Sequence, residues 1–213
     1  MPAHLWAIGT ALIYGLAVLH ARTAGAHVPW LRPVLLDLIR ESECVVVGGV
    51  EATEADSRGR GVVLLRRPMS WCEMNFSEPL RIRTGTALPG GASFVFFLRR
   101  DAAGWRDVAP AGVVFPFDRH EQKRIHRALR QLSKGYIERR VALQRAALVG
   151  LLGAANLDWR YHAAVALYSL SQSSGGWTES ERQRLDHYLR SEKDPAVQQL
   201  LRHISGGIPA SAE

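Results

Sequence analysis

The spacing of apolar positions along the chain changes once, near Phe117. Before it they alternate with polar residues at a period of two; after it they recur every three to four residues. The stretch Ser93 to Arg100 dominates the first part. It is entered through Pro89-Gly90-Gly91, left through Asp101-Ala102-Ala103-Gly104, and carries five apolar residues in a row, Phe94 to Leu98. Three of the five are aromatic, which predicts a central strand buried on both faces. Shorter strands are predicted at Cys44 to Val50, Val62 to Leu65 (ended by Pro68), Ser70 to Phe76, Leu80 to Arg83, Trp105 to Val108 and Val113 to Phe117. Pro116 places the last at an edge or a strand end. A short helix opened by Pro33, with Leu35, Leu38 and Ile39 on one face, leads into this series.

Beyond Phe117, Asp118 and Glu121 have the spacing of a capping box. The helix that follows places Ile125, Leu129, Leu132 and Tyr136 on one face, and a second, about Tyr136 to Leu152, is mostly apolar after Arg145. Asp158 is predicted to cap a third helix through Ser171, and Thr178 with Glu181 to open a fourth. Asp194-Pro195 should start a fifth, containing Val197, Leu200, Leu201 and Ile204. The pattern therefore predicts an α+β chain, a small antiparallel barrel or sandwich followed by an all-α part.

Charge sharpens this picture at one place. The net charge is +7, and nine Lys/Arg against two Asp/Glu between Arg119 and Arg145 account for all of it. At 100° per residue, Arg119, Lys123, Arg127, Arg130 and Lys134 share the face of the first long helix opposite its apolar side. This row is the candidate binding surface. It suits an acidic protein or a phosphate-bearing surface; the competing reading is a solvated helix face.

The residues "CVVVGGVEA" and "LPGGASFVFFLRRDAAGWRDVAPAGVVFPFD", preceded by a short helix, resemble the extracytoplasmic OB-like barrels related to netrin modules and tissue inhibitors of metalloproteinases. The resemblance covers roughly residues 34–117 and implies a non-enzymatic barrel that binds proteins or ligands. It departs from the inhibitors, whose mature chains begin with a metal-reaching cysteine, because the first mature residue expected here is His27. The segments "LDWRYHAAVALYSLSQ" and "EKDPAVQQLLRHI" resemble HEAT-like helical repeats. A small helical bundle explains them equally well. The expected organisation is a 1–26 leader, an OB-like barrel with its leading helix over 27–117, a helical domain over 118–205 and a disordered tail over 206–213.

Leu5 to Leu19 is an uncharged apolar run followed by Ala24-Gly25-Ala26, the outline of a signal peptide, although Met1 to His4 contains no Lys or Arg. Cleavage after Ala26 and an uncleaved anchor are both compatible with this outline, and the expected location is periplasmic or secreted. Export lets the chain's two cysteines, Cys44 and Cys72, close a disulfide; the alternative is a pair of buried thiols. A free amine on His27 would offer a copper ligand pair, a minority reading with no second histidine placed to complete it.

No phosphate-cradling glycine loop, nucleophile elbow, His-Glu-x-x-His or zinc spacing occurs in the sequence. No cofactor, metal site or catalytic residue is assigned. His120, His126, His162, His187 and His203 fall on predicted helices or their first turns, and His162 and His187 neighbour apolar faces. The basic face carries no interleaved aromatics, against a nucleic-acid partner. The expectation is a non-catalytic binding protein with a protein or anionic surface as partner. Membrane contact would run through the N-terminal segment or the basic helix. The rivals are an enzyme whose site is assembled from distant residues, the His27 copper protein and a cytosolic basic helix that binds nucleic acid.

Overall fold

A computed structural model describes residues 34–206 apart from 56–60, 73, 75, 77, 78 and 174–176. The leader, His27 and residues 207–213 of the expected tail lie outside the described residues. The described barrel and helices belong to one compact unit.

The described residues form six strands: β1 (Cys44–Ala55), β2 (Gly61–Ser70), β3 (Leu80–Thr84), β4 (Ser93–Asp101), β5 (Gly104–Asp107) and β6 (Phe115–Pro116). The first five close on themselves in the order β1-β2-β3-β5-β4 and back to β1, an OB-like five-stranded barrel. Its pairings are antiparallel except that of β3 with β5, which is parallel and corrects the all-antiparallel expectation. The parallel seam follows from the tight hairpin joining β4 to β5, which brings β5 back between β4 and β3. β1 serves two neighbours, pairing with β4 over Cys44 to Gly49 and with β2 from Val46 onward.

β4 is the central strand the sequence predicts. Phe94, Phe96 and Leu98 point into the barrel with Val46, Val63, Leu65 and Ile82. Val95 and Phe97 are buried on the opposite side, where helices cover them. β6 pairs only with β4, which leaves Pro116 at an edge where its missing N–H breaks no ladder.

β2 runs past Pro68, which was expected to stop it. Between Val47↔Met69 and Gly49↔Arg66 the register slips, leaving Arg67 and Pro68 opposite Gly48 alone. Arg67 adopts φ 48° in this bulge, and the bulge accepts a residue with no N–H to donate. The alternating stretch predicted as a strand from Ser70 to Phe76 leaves the sheet at Trp71. No strand occurs at the described positions between Ser70 and Leu80. The Trp71 N–H donates to Val45 O at 2.9 Å, and Cys72 is joined to Cys44 by a disulfide with Cα atoms 5.5 Å apart. The β1–β2 ladder ends at Val46↔Ser70, and the chain leaves β1 after the one further backbone bond of Trp71.

The helices are α1 (Val34–Glu41), α2 (Gln122–Ile137), α3 (Val141–Leu151), α4 (Leu157–Ser173), α5 (Glu179–Ser191) and α6 (Pro195–Gly206). α1 buries Leu35, Leu38 and Ile39 and packs chiefly on α2 and α4. Thr178 and Glu181 make the predicted capping box, and Asp194 Oδ1 accepts from the N–H groups of Ala196 and Val197. Asn156, not Asp158, caps α4, accepting from Asp158 N at 2.8 Å. Gly206 closes α6 instead of beginning a tail. The bidentate pair of Arg160 with Glu192, at 2.9 and 3.3 Å, ties the start of α4 to the end of α5.

Barrel and helices meet at Phe115. Its ring lies 5.3 Å from Phe97, 4.7 Å from Trp159 and 5.0 Å from His162, and the Trp159 indole donates to Pro116 O at 2.8 Å. Burial at this seam depresses His162 to about 4. Asp107 is pushed up to about 6 by burial, against the Phe97 and Ala109 N–H groups that its carboxylate accepts.

Removing the disulfide as Cys44→Ser/Cys72→Ser should lower unfolding free energy by about 3–4 kcal/mol, read from urea midpoints at constant slope. The two half-buried titrating groups oppose one another. His162 contributes stability above its unfolded value that is lost as pH falls towards 4; Asp107 contributes stability at low pH that is lost as pH rises through 6. Relative to wild type, His162→Phe should therefore gain stability at pH 4 compared with pH 7, and Asp107→Asn should gain at pH 7 compared with pH 4. Each change should be on the order of 1–3 kcal/mol, measured by urea unfolding at both pH values.

Candidate binding groove

α2 organises the candidate site. A 3₁₀ turn at Arg119–Glu121 precedes it, with Asp118 Oδ1 accepting from His120 N at 2.8 Å. The capping box expected of Asp118 and Glu121 is not made. Glu121 instead accepts from Ala155 N at 2.7 Å and pairs with Arg124 at 3.2 Å, so its carboxylate anchors the loop before α4.

The helix buries Ile125, Ala128, Leu129, Leu132 and Gly135. At its far end Arg139 N donates to Tyr136 O and Arg140 N to Gly135 O, with Arg139 at φ 53°. These two bonds are a Schellman ending, held here by an arginine where glycine is usual. The chain then turns back so closely that a Cβ on Gly135 would stand 3.1 Å from Gln144 N and 3.2 Å from Arg140 O. This crossing corrects two expectations. Tyr136, assigned to the buried face, is 46% exposed, and Ile137, assigned to the apolar second helix, is 76% exposed. The helix stops before the next apolar turn finds a partner.

The five basic residues are all solvent-exposed, Arg119 in the 3₁₀ turn and Lys123, Arg127, Arg130 and Lys134 along α2. Lys134 lies 3.8 Å from Glu138. The other four have no ion-pair partner among the described residues. By the helical angle Ile137 falls at the edge of the same face, so the basic row ends on an exposed aliphatic side chain.

Beside that end lies a groove of about 470 Å³. α1 and the start of β1 supply Ile39, Glu43, Cys44 and Val45, the bend after β2 supplies Trp71 and Cys72, and α2 supplies His126, Leu129, Arg130, Lys134, Ile137 and Glu138. The Trp71 ring is held 4.8 Å from His126 and 6.3 Å from Phe117. The disulfide fixes the bend that carries Trp71, because Cys72 follows it directly. The wall is thus partly apolar and aromatic, through Ile39, Val45, Trp71, Leu129 and Ile137, and it also carries two cations, Arg130 and Lys134, and two carboxylates, Glu43 and Glu138, of which Glu138 pairs with Lys134.

The structure therefore brings Arg130 and Lys134 of the sequence-derived set together with Cys44 and Cys72, while Arg119, Lys123 and Arg127 continue along the helix away from the groove. Trp71, His126 and Ile137 are site residues that sequence reasoning passed over. The usable signal for Trp71 was its place next to a bridged cysteine. His162 does pack, on Phe115, whereas His187 is exposed and stacks edge-on with Tyr188.

Neither Asp107 nor His162, the two groups with strongly displaced protonation, lines the groove. Asp107 borders a space of only about 10 Å³. Among the described residues no cluster of three or more His, Cys, Asp or Glu could hold a metal ion, and no helix is long and apolar enough to cross a membrane. No family model, curated protein or solved structure matches the chain.

Ile137→Asp should change unfolding free energy by no more than about 0.5 kcal/mol, the range of an exposed surface site. Leu129→Ala, on the groove floor, should cost about 2–5 kcal/mol, both read by urea denaturation.

Proposed function

We propose that this protein is a non-catalytic, extracytoplasmic binding protein that holds an acidic peptide segment of a partner protein along α2. The observation that carries the reading is the continuity of charge and groove. Arg119, Lys123 and Arg127, exposed and without ion-pair partners among the described residues, lead to Arg130 and Lys134 at the edge of a cleft with an aromatic and aliphatic wall, where Glu138 offsets Lys134 and leaves Arg130 unpaired. Cations spaced three or four residues apart on a helix stand about 4.5–6 Å apart along its axis, a spacing that carboxylates on an acidic segment can match. An apolar side chain of the same segment would lie against Trp71, Leu129 and Ile137.

A peptide fits this surface better than a membrane does, because the groove's aromatic and aliphatic wall is recessed and a planar bilayer would meet only its rim. Placement outside the cytoplasm is supported by the closed Cys44–Cys72 bridge together with the apolar Leu5 to Leu19 run and its small-residue end. Kinship with netrin-type and inhibitor-type barrels, and of the helices with HEAT-like pairs, belongs to the same proposal. Its support is the five-strand barrel order and the packing of helices α2 to α6 beside it.

The test uses a fluorescein-labelled hexaglutamate peptide, with and without a terminal leucine, followed by anisotropy. Both should bind, the leucine form more tightly. Lys123→Glu/Arg127→Glu/Arg130→Glu should weaken both by at least tenfold, about 1.4 kcal/mol, without lowering the unfolding midpoint. Ile137→Ser should remove only the leucine advantage. Binding that is unchanged in the triple variant would reduce the basic row to a solvated face.

A further inference from the structure

A second cationic feature lies on the barrel, where no run in the sequence announces it. Arg83 of β3 stands directly beside Arg106 of β5 in the parallel pairing, and Arg106 stands directly opposite Arg99 of β4 in the antiparallel one. The three arginines therefore form one row across three adjacent strands, with a strand spacing of roughly 4.8 Å. All three point outward, because the residues that alternate with them, Ile82 and Leu98, belong to the barrel core and Trp105 packs against it.

Like charges placed side by side on a sheet repel, and one carboxylate serves two of the three. Asp101, in the β4–β5 hairpin, bonds to Arg83, lies 3.7 Å from Arg106 Nε and accepts from Ala103 N at 2.9 Å. The Arg83 guanidinium beside it, then the Ala103 N–H, hold its carboxyl below the usual range. Arg99 is exposed and has no carboxylate partner among the described residues. Arg83 Nε is buried without a hydrogen-bond partner among them. The nearby Arg81 is matched by Glu54 at 3.1 Å, and Arg66 by Glu51 at 2.9 Å. Arg67 and Arg100 are also exposed without a carboxylate partner among the described residues, Arg100 lying over the Trp105 ring, but only in the row do three guanidinium groups stand side by side around one carboxylate with N–H donors left over.

We propose that the outer face of the barrel across β3, β5 and β4 is an oxyanion site that binds a phosphate group through Arg83, Arg106 and Arg99. Each guanidinium presents a planar fork of donors matched to the paired oxygens of a tetrahedral oxyanion. A dianionic phosphate neutralises the two charges that Asp101 leaves over. Arg99 and Arg106 make the opening contact, and Arg83, already held by Asp101, supplies donors from the side. This site is independent of the α2 row and of the reading given to it.

The experiment is a titration of inorganic phosphate into the full chain, against sodium chloride at equal ionic strength, observing arginine Nε–H signals assigned by single substitutions. Signals of Arg83, Arg99 and Arg106 should shift together and saturate with phosphate and not with chloride. Arg99→Gln and Arg106→Gln should each weaken binding by roughly tenfold. Asp101→Asn should tighten it severalfold, since the competing carboxylate charge is gone; a merely structural salt bridge would produce no such gain. Lys123→Glu/Arg127→Glu/Arg130→Glu should leave the titration as it was. Vesicles containing phosphatidic acid form a second arm. Capture that is lost in Arg99→Gln assigns the phosphate to a lipid headgroup, and saturation by phosphate without capture assigns it to a soluble molecule; either result supports the site. Shifts no larger than those in chloride, or unchanged titration of both glutamine variants, would overturn it.

Discussion

Five consecutive apolar side chains can be buried only if something covers both faces of the strand that carries them, and a barrel wall alone covers one. In β4 the inward residues Phe94, Phe96 and Leu98 fill the barrel, while Val95 and Phe97 require an outer layer. Phe115, Trp159 and His162 supply it. The helical half is therefore the second wall of a core that β4 begins. Trp159 makes the junction specific, since its indole N–H must find an acceptor when buried and takes Pro116 O, a carbonyl at the sheet edge.

The position of α2 follows from that packing. α1 rests on it from one side, α3 crosses it at Gly135, and Glu121 ties its start to the loop before α4. With its apolar face engaged, the helix has no choice about which residues meet water. The basic row, His126 and the exposed Ile137 are what remains, and the disulfide-held bend at Trp71 turns that remainder into one side of a groove. A covalent tether matters here because the β1–β2 ladder ends at Val46 and Ser70, and the bend beyond it keeps one backbone bond to β1, from Trp71 N to Val45 O.

The two cationic surfaces arise by different means. On α2, side chains three and four positions apart share a face because of helix geometry alone, so their alignment is a property of local sequence. On the barrel, Arg83, Arg99 and Arg106 are brought side by side by register and by the parallel β3–β5 seam. A one-residue slip in either pairing would send one of them to the interior, so the row exists only because the core residues between them fix the register.

This difference separates local pattern from long-range packing. Period-two and period-3.6 patterns are short-range, so the strand-to-helix order, the breadth of burial at Phe94 to Leu98, the Thr178 and Asp194 caps and the basic face of α2 were legible from the residues. Where local signals competed, the sequence misled. Pro68 reads as a strand end but sits in a bulge, Asp118 and Glu121 read as a capping box but serve different partners, and Ser70 to Phe76 alternates but leaves the sheet at Trp71. Packing between distant segments sets the parallel course of β3 and β5, the reach of Cys72 to Cys44, the exposure of Tyr136 and Ile137 and the groove beside Trp71. Each of these depends on which distant segment occupies a given edge or face, and that is a property of the packed whole, carried by no window of residues.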